Sequence, residues 1–337
     1  MKLIIVYGTR PEFLKLKMLI DTIRNNFDII ATVIKINQHI NLIEDNGYYD
    51  ILIDISEICE DRINNIGANI LSKLPTYLKD CTHVLVQGDT ATCYYALLSA
   101  YQIKKQCIHL EAGMRTYNLE HPYPEEGYRQ MISRITNIHL CPSEEEKENL
   151  IKEKVTGKIF VVGNTILDLV KSYNIPVTNK NNALITLHRR ENWDNYREYI
   201  LTIFEFAKKY SHIDFYFLTH PNPLLRKIID EINIDNSINN LKIMDPILHK
   251  ELIQILSTCL FVITDSGGIQ EEANFLGKHI FMLRKITERN AINKNKITIV
   301  NQNNILDIDI KEYHHEYGYE YGDGQSVNKI YQILKNI

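Results

Sequence analysis

The chain lacks most of the cheap signals of function. Its 337 residues hold six cysteines (Cys59, Cys81, Cys93, Cys107, Cys141, Cys259), with no C-x-x-C pair and no metal-ligand spacing. Most of them sit in apolar stretches, as reduced cysteines of a cytoplasmic protein do, so neither a disulfide framework nor a metal site is expected. No G-x-G-x-x-G follows any expected strand, which argues against a dinucleotide cofactor. No apolar run approaches the roughly 20 residues needed to span a bilayer. The opening Met1-Lys2-Leu3-Ile4-Ile5-Val6-Tyr7 is too short for a signal-peptide core. The net charge of −4 comes from interspersed signs without a basic stripe, so nucleic acid is not an expected partner. A soluble, cytoplasmic protein is the expectation.

What is present is alternation. Short apolar runs at Lys2–Tyr7, Asp28–Lys35, His83–Gln87, Gln106–His109, Asn137–Cys141 and Lys158–Val161 are separated by amphipathic stretches. Thr9 with Glu12, and Ser143 with Glu146, fit capping boxes, and Pro11 suits a first helical turn. Between Val162 and Asn182 the pattern loosens, and a linker is placed there. A second alternation follows at Ala183–Leu187, Phe215–Thr219, Asn240–Met244, Leu260–Thr264 and His279–Leu283, and Gln325–Ile337 reads as a last helix. The length suits two domains, each able to bury a core. The expectation is an α/β protein of two Rossmann-like domains facing across a cleft. The domains are expected at 1–165 and 166–322, with a C-terminal helix at 323–337 free to pack back on the first.

Charged and polar clusters end strand after strand, where ligands of such folds gather. They include Gly8-Thr9-Arg10-Pro11-Glu12, Gln87-Gly88-Asp89-Thr90 and His109 to Thr116, then Pro124-Glu125-Glu126 with Arg129. The second half has His188 to Asn192, Thr219-His220-Pro221, Asp265 to Ala273 and Thr287-Glu288-Arg289. Singly, each has a structural explanation: Asp89 as a helix cap, Glu111 paired with Arg115, Arg129 paired with Glu125 one turn back. Jointly they are costly for a core and natural for an active site. The pair Gly267-Gly268 opening a helix after an apolar run is a place to hold phosphate on backbone N–H groups.

Taken in order, GTRPE at 8–12, QGDT at 87–90, HLEAGMRT at 109–116, PEE at 124–126, HRREN at 188–192, DSGGIQEEA at 265–273, LGK at 276–278, TER at 287–289 and YGDGQS at 321–326 resemble the non-hydrolysing UDP-N-acetylglucosamine 2-epimerases, a family of GT-B fold. The resemblance covers nearly the whole chain. It implies interconversion of UDP-GlcNAc and UDP-ManNAc by elimination of UDP through a 2-acetamidoglucal and re-addition, with no metal and no cofactor. It implies that Asp89, Glu111 and Glu125 handle the proton at sugar carbon 2, with Glu111 and Asp89 as the acid/base pair. It also implies that His188 assists departure of the diphosphate. Arg10 and Arg129 match residues near the phosphates, with Lys15 in support. Ser266, Gly267 and Gly268 are expected to hold the diphosphate, Glu272 the ribose hydroxyls, Arg289 the nucleotide side and His220 the uracil pocket. For His220, a ring satisfied by loop backbone explains the residue nearly as well. A homodimer, and a role in making surface polysaccharide, are implied by resemblance alone.

The chain departs from the family pattern in three places, one of them the region Asn46–Asn65, which is short and lacks the usual pattern. Ile36-Asn37-Gln38-His39-Ile40 keeps the glutamine and histidine of the family's activator-binding loop but lacks its glycine and arginine. Tyr128 stands where the family has asparagine beside Arg129, so a UDP-6-deoxy-N-acetylhexosamine is an alternative substrate. A hydrolysing epimerase is disfavoured by Pro11, where that branch has alanine. A GT-B glycosyltransferase would not need three carboxylates with the histidine motif, and a binding protein without chemistry would not keep them.

Overall fold

The computed structural model describes residues 1–37, 45–55, 61–189, 192–236, 238–284, 289, 291–310 and 316–337. Gln38, His39, Ile40, Cys59, Arg190, Glu191, Thr287 and Glu288, which figure in the reading above, lie outside the described residues.

The first sheet is built from seven parallel strands: β1 (Lys2–Tyr7), β2 (Ile30–Asn37), β3 (Ile51–Asp54), β4 (His83–Gln87), β5 (Gln106–Leu110), β6 (Ile138–Cys141) and β7 (Lys158–Val161). Their order is β3-β2-β1-β4-β5-β6-β7, so the winding reverses between β1 and β4. Such a switch point opens a crevice at the carboxyl ends of two adjacent strands. Helices α1 (Arg10–Asn25), α2 (Arg62–Lys73), α3 (Ala91–Gln102), α4 (Glu125–Ile135), α5 (Glu144–Lys152) and α6 (Thr165–Ser172) make the connections. Strand alternation splits β1 between two cores. Leu3, Ile5 and Tyr7 join Phe13, Leu16 and Ile20 of α1, while Ile4 and Val6 join Ile70 of α2 and Cys93, Ala96 and Leu97 of α3. Both faces are covered, which is why the strands read as apolar runs.

The second sheet has six parallel strands in the order β10-β9-β8-β11-β12-β13. They are β8 (Asn182–Thr186), β9 (Asp214–Leu218), β10 (Leu241–Met244), β11 (Phe261–Thr264), β12 (His279–Met282) and β13 (Ile297–Ile299). The reversal here lies between β8 and β11. Helices α7 (Tyr196–Lys209), α8 (Pro223–Asn236), α9 (His249–Thr258) and α10 (Gly267–Phe275) accompany it.

Contacts divide the chain into Met1–Ser172 with Glu320–Ile337, and Tyr173–Tyr319. The first unit thus runs to Ser172 where the sequence reading stopped at 165, because the stretch taken for a linker contains α6. Helix α11 (Ser326–Lys335) lays Val327, Ile330 and Leu334 into the core that holds α1. Its start is tied down by Asp168 of α6, whose carboxylate accepts from the backbone N–H groups of Ser326 (3.1 Å) and Val327 (2.9 Å). That satisfies two donors left over at a helix N-terminus. Gly163 has φ of +94° and lies so close that a Cβ there would stand 2.3 Å from Ser326 Oγ. Only glycine fits, so part of the YGDGQS motif is explained by packing. Among the described residues no helix is long and apolar enough to cross a membrane.

Candidate active site

In the first unit the site grows from the two loops at the switch point. Thr9 caps α1, and Glu12 in its first turn is buried. The Glu12 carboxylate accepts from the N–H of Gly8 (2.9 Å), the N–H of Thr9 (2.7 Å) and the hydroxyl of Thr9 (2.8 Å). It also accepts from Thr90 (2.6 Å), the residue that caps α3 beyond β4. One carboxylate therefore stitches the loop carrying Arg10 to the loop carrying Asp89. Burial pushes its pKa up, and the four hydrogen bonds oppose that.

Two carboxylates stand paired with cations at these strand ends. Lys15, one turn into α1, places Nζ 2.5 Å from Glu111 Oε2, and Gln87 Nε2 donates to the same oxygen. Glu111 sits at φ +68°, an uncommon conformation for a non-glycine residue. Its N–H and that of Ala112 both donate to the Leu140 carbonyl, which holds the turn. Asp89 Oδ2 takes Arg129 through Nη2 at 2.6 Å and Nε at 2.8 Å. Arg129 also reaches Glu126 at 3.3 Å. Glu126 is fully buried and accepts from the N–H groups of Thr116 (2.9 Å) and Tyr117 (3.1 Å), hanging the loop after β5 on α4. Glu125, next to it, opens α4 half-buried.

Arg115 and Arg129 each hold a carboxylate other than the one that spacing suggests. Arg115 grips Glu153 through Nε (2.7 Å) and Nη2 (2.9 Å), and the ion pairs of Arg129 run to Asp89 and Glu126. Arg10 is the first residue of α1, half-buried beside these groups in sequence.

In the second unit the acids act as anchors. Asp265 is fully buried and accepts from the N–H of His188 (2.9 and 3.0 Å), the N–H of Arg189 (2.8 Å) and the amide of Asn192 (2.9 Å). This ties the loop after β8 to the loop after β11, across that sheet's switch point. Burial pushes the His188 pKa down, with Asp265 opposing, which favours the uncharged ring. His188 and His220 rings are 6.0 Å apart, and Trp193 lies 5.4 Å from His220. His220 Nδ1 accepts from the Asn222 N–H at 3.0 Å, so loop backbone does engage this ring.

Ser266 caps α10 by accepting from the Ile269 N–H. A Cβ on Gly267 would meet the Arg289 guanidinium at 2.8 Å, so Gly267 is what lets Arg289 lie against the helix start. At Gly268 the space beyond is open. Arg289 is in turn held by buried Glu271 at 2.9 Å, and Glu272 Oε1 lies 2.7 Å from His249 Nε2. The structure thus brings Asp89, Glu111, Lys15 and Arg129 together on one sheet, and His188, Ser266, Gly267 and Arg289 around the switch point of the other. Gln87, Glu12 (read only as a capping-box partner), Glu126, Asp265 and His249 have no site role in the sequence analysis. The first four lie inside motifs at strand ends and could have been found by position. His249 had no signal of its own.

A family model described as UDP-N-acetylglucosamine 2-epimerase matches residues 26–335. The chain belongs to the UDP-N-acetylglucosamine 2-epimerase family. It is 35% identical to the UDP-N-acetylglucosamine 2-epimerase of Campylobacter jejuni, over 99% of this chain and 97% of that one. The Neisseria meningitidis serogroup A enzyme of the same name is 34% identical over 86% of this chain and 84% of its own. The Neisseria meningitidis UDP-GlcNAc 2-epimerase structure bound to UDP-GlcNAc superposes with a TM-score of 0.90 at 30% identity, covering both chains fully. The Methanocaldococcus jannaschii enzyme, in complex with UDP-GlcNAc and UDP, gives 0.84 at 29% with full coverage of both. The two parallel α/β sheets are therefore those of the GT-B type, as the motifs implied.

Proposed function

We propose that this epimerase interconverts UDP-GlcNAc and UDP-ManNAc without releasing free sugar. A base takes the proton from sugar carbon 2 while the bond from carbon 1 to the diphosphate oxygen breaks, leaving 2-acetamidoglucal and UDP. An acid then protonates carbon 2 on the opposite face as UDP re-adds to carbon 1. The carbon 2 proton is a poor acid, so the base must be placed and its charge state controlled. The observation that carries this reading is the two cation-paired carboxylates at the ends of β4 and β5, Glu111 with Lys15 and Asp89 with Arg129. We assign them the acid/base pair, with Glu125 as relay.

His188 offers its N–H to the departing diphosphate, and Arg10, Arg129 and Lys15 stabilise the charge that develops there. Ser266, Gly267 and Gly268 at the start of α10 hold the diphosphate, Glu272 the ribose, Arg289 the nucleotide side and His220 the uracil. The relatives named for UDP-GlcNAc support that sugar over a 6-deoxy one. So does the packing of Tyr128, whose buried ring stacks on Tyr94 at 5.0 Å within the core that holds α3. The residue that prompted the 6-deoxy alternative is thus used between helices.

A proton NMR time course with UDP-GlcNAc in D₂O tests the reading. UDP-ManNAc carrying deuterium at carbon 2, without free ManNAc, is the expected product. Free ManNAc with UDP would place the chain in the hydrolysing branch, and no turnover would move the substrate to a 6-deoxy sugar.

A further inference from the structure

Two adjacent glutamates of α10 have been given unlike partners. Glu271 is fully buried and carries a guanidinium, that of Arg289 at 2.9 Å. Glu272, equally out of solvent, receives an imidazole: His249 Nε2 lies 2.7 Å from its Oε1. His249 is the first residue of α9 and is itself buried. Its other nitrogen, Nδ1, is 2.9 Å from the hydroxyl of Tyr173, whose ring lies 5.6 Å away at 52°. A carboxylate only accepts, so Nε2 must carry the hydrogen. In the uncharged ring Nδ1 is then the acceptor and the Tyr173 hydroxyl the donor. The chain runs one way, from Tyr173 O–H to Nδ1 and from Nε2–H to Oε1.

We propose that His249 and Tyr173 are positioning residues for Glu272, acting together to hold its carboxylate in the pose that accepts the two hydroxyls of a ribose. This rests on the reading of Glu272 as the ribose-binding group. A vicinal diol offers two donors on adjacent carbons, and a carboxylate meets both only when its plane is fixed. Glutamate has three rotatable bonds. A donor on Oε1 removes the last of that freedom, and a hydroxyl on the far side of the imidazole fixes the ring in turn, as outer partners do for ligating groups. The helix start is already secured by the Ser266 cap and the Asp265 anchor, so this second tie is aimed at one side chain rather than at the element.

The test is calorimetric binding of UDP and of 2′,3′-dideoxy-UDP to the full chain, with KM and kcat measured beside it. His249→Ala is expected to weaken UDP about tenfold, the worth of one hydrogen bond to a charged group, and to leave dideoxy-UDP nearly unchanged. KM should rise while kcat holds. Tyr173→Phe, which keeps the ring, should show the same selective loss at about threefold. His249→Gln, whose amide can donate, should recover most of the affinity. Equal weakening of UDP and dideoxy-UDP by His249→Ala would mean a structural role and overturn the inference. So would unchanged UDP affinity in a folded Tyr173→Phe and His249→Ala while Glu272→Ala weakens it. If Glu272→Ala itself leaves UDP binding intact, the ribose reading fails first and takes this one with it.

Discussion

The two sheets place carboxylates at equivalent points, the strand ends beside a switch point, and use them in opposite ways. In the first unit Asp89 and Glu111 face cations carried on helices, through side-chain contacts that a substrate could replace. In the second, Asp265 is consumed by two backbone N–H groups and an amide, and Glu271 by a buried arginine. The buried hubs of the first unit, Glu12 and Glu126, hold loops in the same manner as Asp265. Position at a strand end therefore marks a carboxylate as important without saying for what. The kind of donor it meets separates the cases: Asp89 and Glu111 are held by side-chain partners, while main-chain N–H groups make Asp265, Glu12 and Glu126 part of the frame.

The largest expected effect divides those two roles. Glu111→Gln and Asp89→Asn should each cut turnover by roughly 10²–10⁴-fold, with UDP affinity close to wild type. Deuterium uptake at carbon 2 measures this, and near-normal rates would end the acid/base assignment. Asp265→Ala should instead cost about 3 kcal/mol in urea unfolding, because it strands several buried donors at once. Asp89→Asn should cost far less, since the Asp89 side chain is 29% exposed. Equal losses of stability in the two variants would erase the contrast.

Acid should reveal a further asymmetry through His109 of β5, buried with Nε2 on the Gly88 carbonyl at 2.7 Å. Burial first, then neighbouring charge, brings its pKa from 6.5 down to about 3. Between those values the unfolded chain takes up a proton that the folded chain refuses. This group alone should therefore make stability fall as pH falls, by up to about 1.4 kcal/mol per pH unit, with half-buried His279 adding in the same sense. Glu12, whose pKa is raised by burial, works in the opposite sense. His109→Gln should flatten the slope, as thermal unfolding across this range would record; an unchanged slope would assign it to other groups. The smallest effect is expected at Gly267→Ala. The new methyl meets the Arg289 guanidinium, which must shift along its ion pair with Glu271 to make room. UDP affinity should drop about threefold with the fold intact, a change of well under 1 kcal/mol. A loss of stability there would mean that the Glu271–Arg289 pair cannot shift without breaking.

Much of this was legible because parallel strands covered on both faces must be apolar, so charges appear only where they end. β1, β4 and β7 lie where their apolar runs lie. The strands that escaped notice are edge strands: Ile51–Asp54 is partly exposed, and Ile297–Ile299 is three residues long. Helix α6 escaped for another reason: it is only eight residues long, and its polar Thr165 and Asp168 are buried with its apolar side chains. Partnerships were least legible. Glu125 and Glu126 are neighbours in sequence, yet one is a helix start and the other a buried hub. Glu272 and His249 are joined across two helices with no spacing rule to announce them.

The tie between Asp168 and the start of α11 has a consequence for how the protein is made. The covering of the first core by Val327, Ile330 and Leu334 is encoded after the whole of Tyr173–Tyr319. At ribosomal rates of about 5–20 residues per second, that interval lasts on the order of 7–30 s. Throughout it, the nascent first unit carries an uncovered apolar flank beside α1. The second unit is synthesised while its predecessor is still unfinished, and a helix encoded after it completes the first unit.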